Sequence, residues 1–162
     1  MLGLTTLGVF HTVISLIALV CGVWTLARDK EISPRNGLGQ IYLVGTFITA
    51  ATGLFIFQRG GFGPPHVVAI LTLLALAVGT VAATSGLFGA ASRYIQAISY
   101  SATILFHLIP ATVETSTRFP RGAPLVASPD APVLQGFFLV LLVLFLIGLT
   151  LQLRWLRARL RR

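Results

Sequence analysis

Long apolar runs alternate with short polar breaks along the whole chain. The runs predict five helices, at about residues 3–27, 38–58, 65–88, 93–113 and 133–153. Each is close to the ~20 residues that a helix needs to cross a ~30 Å hydrocarbon layer. The breaks contain charge, proline and glycine, which favour turns. The pattern therefore predicts an all-α integral membrane bundle of five transmembrane helices, forming a single domain over residues 1–153.

Composition supports this class of protein. The chain of 162 residues is 56% hydrophobic and 10% charged, whereas about 25% of the residues in a soluble domain are charged. No charged residue precedes Arg28, although a cleaved signal peptide begins with a positive region. We therefore expect the first apolar run to be a retained helix. The single cysteine, Cys21, excludes an intramolecular disulfide.

The distribution of lysine and arginine predicts the orientation. With five spans, nine basic residues share one side: Arg28, Lys30, Arg35, Arg93, Arg154, Arg157, Arg159, Arg161 and Arg162. The other side has three, namely Arg59, Arg118 and Arg121. Because positive loops stay in the cytoplasm, we expect the N-terminus outside and the C-terminus inside. A four-span alternative would move one basic group outside.

The segment RWLRARLRR, residues 154–162, is predicted to be a basic cytoplasmic tail, and it explains much of the high isoelectric point of about 11.4. We expect it to anchor the topology, with Trp155 at the interface. It also fits binding to anionic lipid, at about 1 kcal/mol per arginine near the surface. Lipid is the expected partner, together with a membrane protein or a second copy of the chain, and nucleic acid is not.

Small residues recur at four-residue spacing and predict close helix contacts, since small side chains let helices approach one another in lipid. The three series are Gly45, Thr49 and Gly53; Ala75, Gly79 and Ala83; and Ala82, Gly86 and Ala90.

Polar residues form two further series at helical spacing. The fourth helix carries Gln96, Tyr100, Thr103 and His107, and Glu114 continues the series unless Pro110 kinks or ends the helix. The first helix carries His11, Ser15, Ala18 and Gly22. Both series should face protein rather than lipid.

Three histidines are expected near the outer face. At 1.5 Å per residue, His11 lies about 12 Å and His107 about 9 Å from the outer ends of their helices, and His66 begins the third helix on the same side. Facing imidazoles are common haem ligands, so one hypothesis is a single b-type haem held by His11 and His107, with Tyr100 lining the site.

A second hypothesis is a Zn or Cu site made by His11, His66, His107 and Glu114, because imidazole and carboxylate are suitable ligands for these metals. In a related interpretation His107 and Glu114 form a proton relay or face a quinone. Simpler alternatives stay open for the same residues. His11 or His107 could form a hydrogen bond between helices, His66 could be an interfacial residue without a ligand, and Glu114 could pair with Arg118. The protein would then be a structural or accessory subunit of a membrane complex.

Residues 10–57 carry an early histidine in the first helix, a glycine near its end, a basic turn and the sequence GLGQIYL at the start of the second helix. This stretch resembles a family of uncharacterised bacterial polytopic membrane proteins that share a domain of unknown function. The resemblance implies a multi-pass protein of the bacterial inner membrane and no particular reaction. Members often have a histidine before the second stretch, where this chain has Pro34, Arg35 and Asn36, so no role is carried over for it.

Overall fold

The computed structural model describes residues 5–57 and 60–161. Over these ranges the protein is all-helical, which confirms the predicted class. Its five long helices are α1 (Thr6–Asp29), α2 (Gly37–Gly53), α3 (Pro64–Thr84), α4 (Ser92–Arg118) and α5 (Pro132–Leu160), and a 3-10 turn, Gly89–Ala91, precedes α4. The predicted start of the first helix at residue 3 and the predicted end of the second at residue 58 lie outside the described residues.

Two helices extend beyond the C-terminal ends that their apolar runs predicted. α4 continues past Pro110 to Arg118, because a proline removes only one backbone hydrogen bond and the helix resumes on its far side. α5 continues to Leu160, since leucine, alanine and arginine are all strong helix formers. The segment predicted as a separate basic tail is thus helical through Leu160. By contrast α3 ends at Thr84, before Gly86, which has a φ of 67°.

Three helices, α1, α3 and α5, are long and apolar enough to cross a membrane. Their outward faces are exposed and apolar, and α5 buries only Leu134 and Leu156 against the rest of the protein. Large exposed apolar surfaces of this kind mark contact with lipid or another protein. α2 has 17 residues, equivalent to about 26 Å, and α4 is the polar helix of the set.

The first four helices form a closed ring, in which α1 contacts α2, α2 contacts α3, α3 contacts α4, and α4 contacts α1. α5 packs outside this ring, against α4. The polar series of α4 faces the protein as expected, since Gln96, Tyr100, Thr103 and His107 are all buried. The buried polar side chains of α4 can therefore form hydrogen bonds with the neighbouring helices.

Glycines allow the closest helix contacts, as the four-residue spacing predicted. A Cβ at Gly22 would lie 2.5 Å from the ring of Tyr42, and one at Gly79 would lie 2.5 Å from the ring of Tyr100. A Cβ at Gly45 would lie 2.9 Å from the Cβ of Ala18. In the third series Ala82 is buried in α3, whereas Gly86 lies beyond the helix and nothing lies within 4 Å of a Cβ there.

The loop between α1 and α2 closes one end of the bundle. The side chain of Ile32 is fully buried, and its carbonyl accepts a hydrogen bond of 2.9 Å from Gln96 of α4. The carboxylate of Glu31 accepts two hydrogen bonds from Arg93, at 2.8 and 2.9 Å. The carbonyl of Lys30 accepts a hydrogen bond of 2.8 Å from Gln152 of α5. The loop thereby ties α4 and α5 to the first hairpin.

Replacing Gly79 with alanine should destabilise the bundle by about 1–3 kcal/mol, because the added methyl overlaps the fully buried ring of Tyr100. The measurement is the unfolding temperature of the full chain in mild detergent, read from the surviving monodisperse peak in size-exclusion chromatography after heating.

Gly148→Ala is the matched control, because nothing lies within 4 Å of a Cβ at Gly148 in α5. Its unfolding temperature should equal or slightly exceed that of the wild type, since alanine favours helix. Equal unfolding temperatures for the two variants would show that the contact between Gly79 and Tyr100 does not limit stability.

Candidate functional site

His107 connects three helices from a buried position on α4, where 6% of the residue is exposed. Its Nδ1 lies 3.1 Å from Ser15 Oγ of α1, and its Nε2 lies 3.0 Å from Thr46 Oγ1 of α2. A neutral imidazole has one donor and one acceptor nitrogen, and a hydroxyl can serve as either partner. Both nitrogens of His107 are therefore satisfied by side chains of neighbouring helices.

A second group of hydroxyls lies one turn away along α4. Thr103 Oγ1 donates to the carbonyl of Tyr100 at 2.7 Å, so it accepts the hydrogen bond that joins it to the buried Tyr42 hydroxyl. The rings of Tyr42 and His107 have centroids 6.2 Å apart. Together with the His107 contacts, these bonds give α2 and α4 a continuous polar contact.

His11 has a different hydrogen-bonding state. Its Nδ1 lies 3.1 Å from Thr52 Oγ1, and that hydroxyl also lies 2.7 Å from the carbonyl oxygen of Ile48 and 3.1 Å from that of Thr49. When the Thr52 hydroxyl donates to one of these carbonyls, the Nδ1 of His11 is the donor, and the Nε2 of the neutral ring carries the lone pair. His11 is half-buried, and its Cε1 lies 3.3 Å from the position of a Cβ at Gly53.

The two histidines lie at different depths. His107 bonds to Ser15, four residues beyond His11 on α1, and to Thr46, six residues before Thr52 on α2. These separations correspond to about 6 and 9 Å along the helices. The ring of His107 is thus one to two turns further from the Thr6 end of α1, whereas helix length alone predicted similar depths.

His66 occupies a separate environment at the start of α3. The backbone N–H of Gly63 donates to its Nδ1 at 3.2 Å. Its ring stacks with Phe57 and Phe62, at centroid distances of 4.7 and 5.2 Å. The Nε2 is buried and has no hydrogen-bond partner among the described residues. His66 therefore belongs to an aromatic cluster that closes this end of α3.

Glu114 lies near the end of α4, on the continuous helix beyond Pro110. Its carboxylate forms an ion pair of 2.5 Å with Arg118, one helical turn later. This is the pairing that the simpler interpretation of Glu114 predicted. The side chain of Glu114 is 46% exposed, whereas His107 is buried.

The four predicted metal ligands do not gather into one cluster. In the described part of the chain, no three His, Cys, Asp or Glu side chains gather to hold a metal ion, so the set of His11, His66, His107 and Glu114 is not brought together as a metal centre. Tyr100 turns toward α3, where its hydroxyl lies 3.1 Å from Thr80 Oγ1. The contacts that the structure shows instead are hydrogen bonds between histidine rings and the hydroxyls of serine and threonine.

Ser15 was predicted as part of the α1 series, whereas the two α2 partners, Thr46 and Thr52, were not predicted from the sequence. The available signal was the recurrence of threonine in an otherwise apolar helix, at positions 46, 49 and 52. Two of these three hydroxyls bond to histidine. The third, Thr49 Oγ1, is buried without a hydrogen-bond partner among the described residues.

Thr46→Val should destabilise the protein by about 1–2 kcal/mol, because it leaves the buried Nε2 of His107 without a partner. The measurement is chemical or thermal unfolding of the full chain in detergent.

Thr49→Val provides the control, since it makes the same chemical change on the same helix at a hydroxyl that has no partner to lose. Its stability should stay unchanged or increase. A loss at Thr49 as large as the loss at Thr46 would refute the importance of the bond to His107.

No family model matches the chain, and neither a curated protein nor a solved structure matches it.

Proposed function

We propose that the chain is a multi-pass protein of a bacterial inner membrane, with five spans, an external N-terminus and a cytoplasmic C-terminus. The apolar surfaces of α1, α3 and α5 support membrane insertion. α2 and α4 complete a ring with α1 and α3, so a bilayer that surrounds this ring would be crossed by them as well. The bacterial inner membrane is proposed on the sequence resemblance expected for residues 10–57.

The uneven distribution of basic residues between the two ends of the bundle supports the proposed orientation in the membrane. The loop and helix contacts gather eight described basic residues at one end of the bundle: Arg28, Lys30, Arg35, Arg93, Arg154, Arg157, Arg159 and Arg161. The opposite end has Arg118 and Arg121, and Arg59 and Arg162 lie outside the described residues. The basic end is expected in the cytoplasm by the positive-inside rule.

Within this membrane protein, the histidines are proposed to act structurally, in a non-catalytic or accessory subunit. One observation carries this proposal: both ring nitrogens of His107 are already bonded, to Ser15 and Thr46. A haem or metal ligand must offer a nitrogen lone pair to the metal, and His107 would have to give up one of these bonds to do so. Its present bonds instead fix the relative positions of three helices.

The weak packing of α5 is consistent with an accessory role. Its two fully buried side chains are Leu134 and Leu156, and most of its other side chains are exposed. A partner membrane protein or a second copy of the chain could contact this surface without disturbing the ring of α1 to α4.

A second candidate function, cofactor binding, is favoured by His11 alone. When its Nδ1–H is donated to Thr52, the lone pair of the neutral ring is on Nε2. Ligating histidines in metal proteins usually donate their second nitrogen in this way. His11 could therefore supply one nitrogen to a haem, Zn or Cu, with further ligands from outside the His107 contacts.

Optical spectra and metal analysis of the purified full chain test the two functions. For the structural role we expect no Soret band and no stoichiometric Zn or Cu. His107→Ala should lower stability by about 2–4 kcal/mol through two lost hydrogen bonds and a cavity, and His11→Ala by about 1 kcal/mol through one lost hydrogen bond.

Stoichiometric haem or metal in the wild type would contradict the structural role. If that metal disappears in His11→Ala, His11 is a ligand. Thr52→Val should then weaken binding by about 10- to 100-fold, as expected for loss of a hydrogen bond that orients a ligand. Loss of the metal in His107→Ala with retention in His11→Ala would contradict both assignments.

A further inference from the structure

The C-terminal part of α5 extends beyond the length that a bilayer core requires. The helix has 29 residues, equivalent to about 43 Å, against a hydrocarbon thickness of about 30 Å. Its first two-thirds are apolar, and its arginines begin at Arg154. The last two turns of α5 therefore lie at the level of the lipid headgroups or just beyond them.

Two of these arginines share one face of α5, and a third, Arg161, caps the helix after Leu160 with a φ of −92° and a ψ of −10° and continues that face. Arg154, Arg157 and Arg161 are spaced three and four residues apart, which aligns them along a helix, and all three are exposed. The inward face is marked by the buried Leu156 and by Gln152, which bonds to Lys30 and Ser101. At about 100° per residue, the arginine face lies about half a turn away from the inward face.

Arg159 belongs to the inward side. Its Nη1 lies 3.6 Å from the carboxylate of Glu31, and its guanidinium carbon lies 5.2 Å from the centre of the Trp155 ring. Although Arg159 is within the same basic segment, its charge is directed to a carboxylate of the protein. This separates it from the three arginines of the outer face.

The three outer arginines have no carboxylate counterpart among the described residues. The acidic groups at this end of the bundle are Asp29, paired with Arg28 at 2.8 Å, and Glu31, paired with Arg93 at 2.8 Å. Three guanidinium groups at headgroup depth without a carboxylate partner favour the binding of an anion from the surroundings. In a bilayer the anion within reach is a lipid phosphate, which guanidinium binds with paired hydrogen bonds.

We propose that Arg154, Arg157 and Arg161 form a binding surface for the headgroups of anionic phospholipids, in the leaflet that surrounds the C-terminal end of α5. Arg159 takes no part in it. Each arginine near an anionic membrane surface strengthens association by roughly fivefold. The proposal is independent of whether the histidines act structurally or hold a cofactor.

The test measures lipid selectivity of the full chain reconstituted in phosphatidylcholine vesicles. Electron paramagnetic resonance gives the immobilised fraction of spin-labelled phosphatidylglycerol and of spin-labelled phosphatidylcholine, and hence the ratio of their association constants. The wild type should prefer phosphatidylglycerol by at least several-fold. Raising the salt to about 1 M, where the Debye length is about 3 Å, should reduce this preference.

Arg157→Gln and Arg159→Gln form a matched pair, since each removes one charge from the same two turns. Arg157→Gln should lower the preference by about threefold to fivefold, and Arg159→Gln should keep it within twofold of the wild type. The triple variant with glutamine at 154, 157 and 161 should bring the ratio close to one.

Two results would overturn the proposal. Equal losses for Arg157→Gln and Arg159→Gln would show that only the total charge of the segment matters. An unchanged ratio in the triple variant would place the selectivity elsewhere, for example at the basic loop between α1 and α2.

Discussion

The arrangement of the bundle depends on satisfying the polar side chains of α4 away from water. An unpaired polar group in an apolar environment costs several kcal/mol, so α4 is stable only where other helices supply hydrogen-bond partners. It has at least one such partner on each of the other four helices: Ser15 on α1, Tyr42 and Thr46 on α2, Thr80 on α3 and Gln152 on α5. The central place of α4 follows from this requirement.

Both helical hairpins combine a close approach with a satisfied hydroxyl. In the first, the ring of Tyr42 lies against Gly22 and its hydroxyl bonds to Thr103. In the second, the ring of Tyr100 lies against Gly79 and its hydroxyl bonds to Thr80. Because lipid offers no hydrophobic drive for helix association, van der Waals contact and hydrogen bonds must supply the specificity. A tyrosine opposite a glycine provides both at one position.

The sequence allowed prediction of the helical class and of the buried face of α4, because helical spacing places Gln96, Tyr100, Thr103 and His107 on one side. It did not allow the partners of the histidines to be identified. A threonine in a helix commonly bonds to its own backbone one turn earlier, as Thr72 does. Nothing local to the sequence distinguishes it from Thr46, whose hydroxyl meets a histidine 61 residues away.

The depth of the histidines was harder to predict for a related reason. Each depth was counted from the helix end that the apolar residues predicted. For α4 that end was wrong, because the helix continues through Pro110 to Arg118. The displacement of one helix along another is fixed by contacts such as that of Gly45 with Ala18. These contacts depend on the side chains of both helices. Three histidines expected at one level were therefore found in three different environments.

The contacts of the loop between α1 and α2 have a consequence for the order of assembly. This loop is made early, yet the carbonyl of Lys30 bonds to Gln152, 122 residues later, and the carboxylate of Glu31 is also approached by Arg159. The hydrogen bonds of this loop can therefore be completed only once α5 has been made, so the basic end of the bundle is finished after the first hairpin has formed.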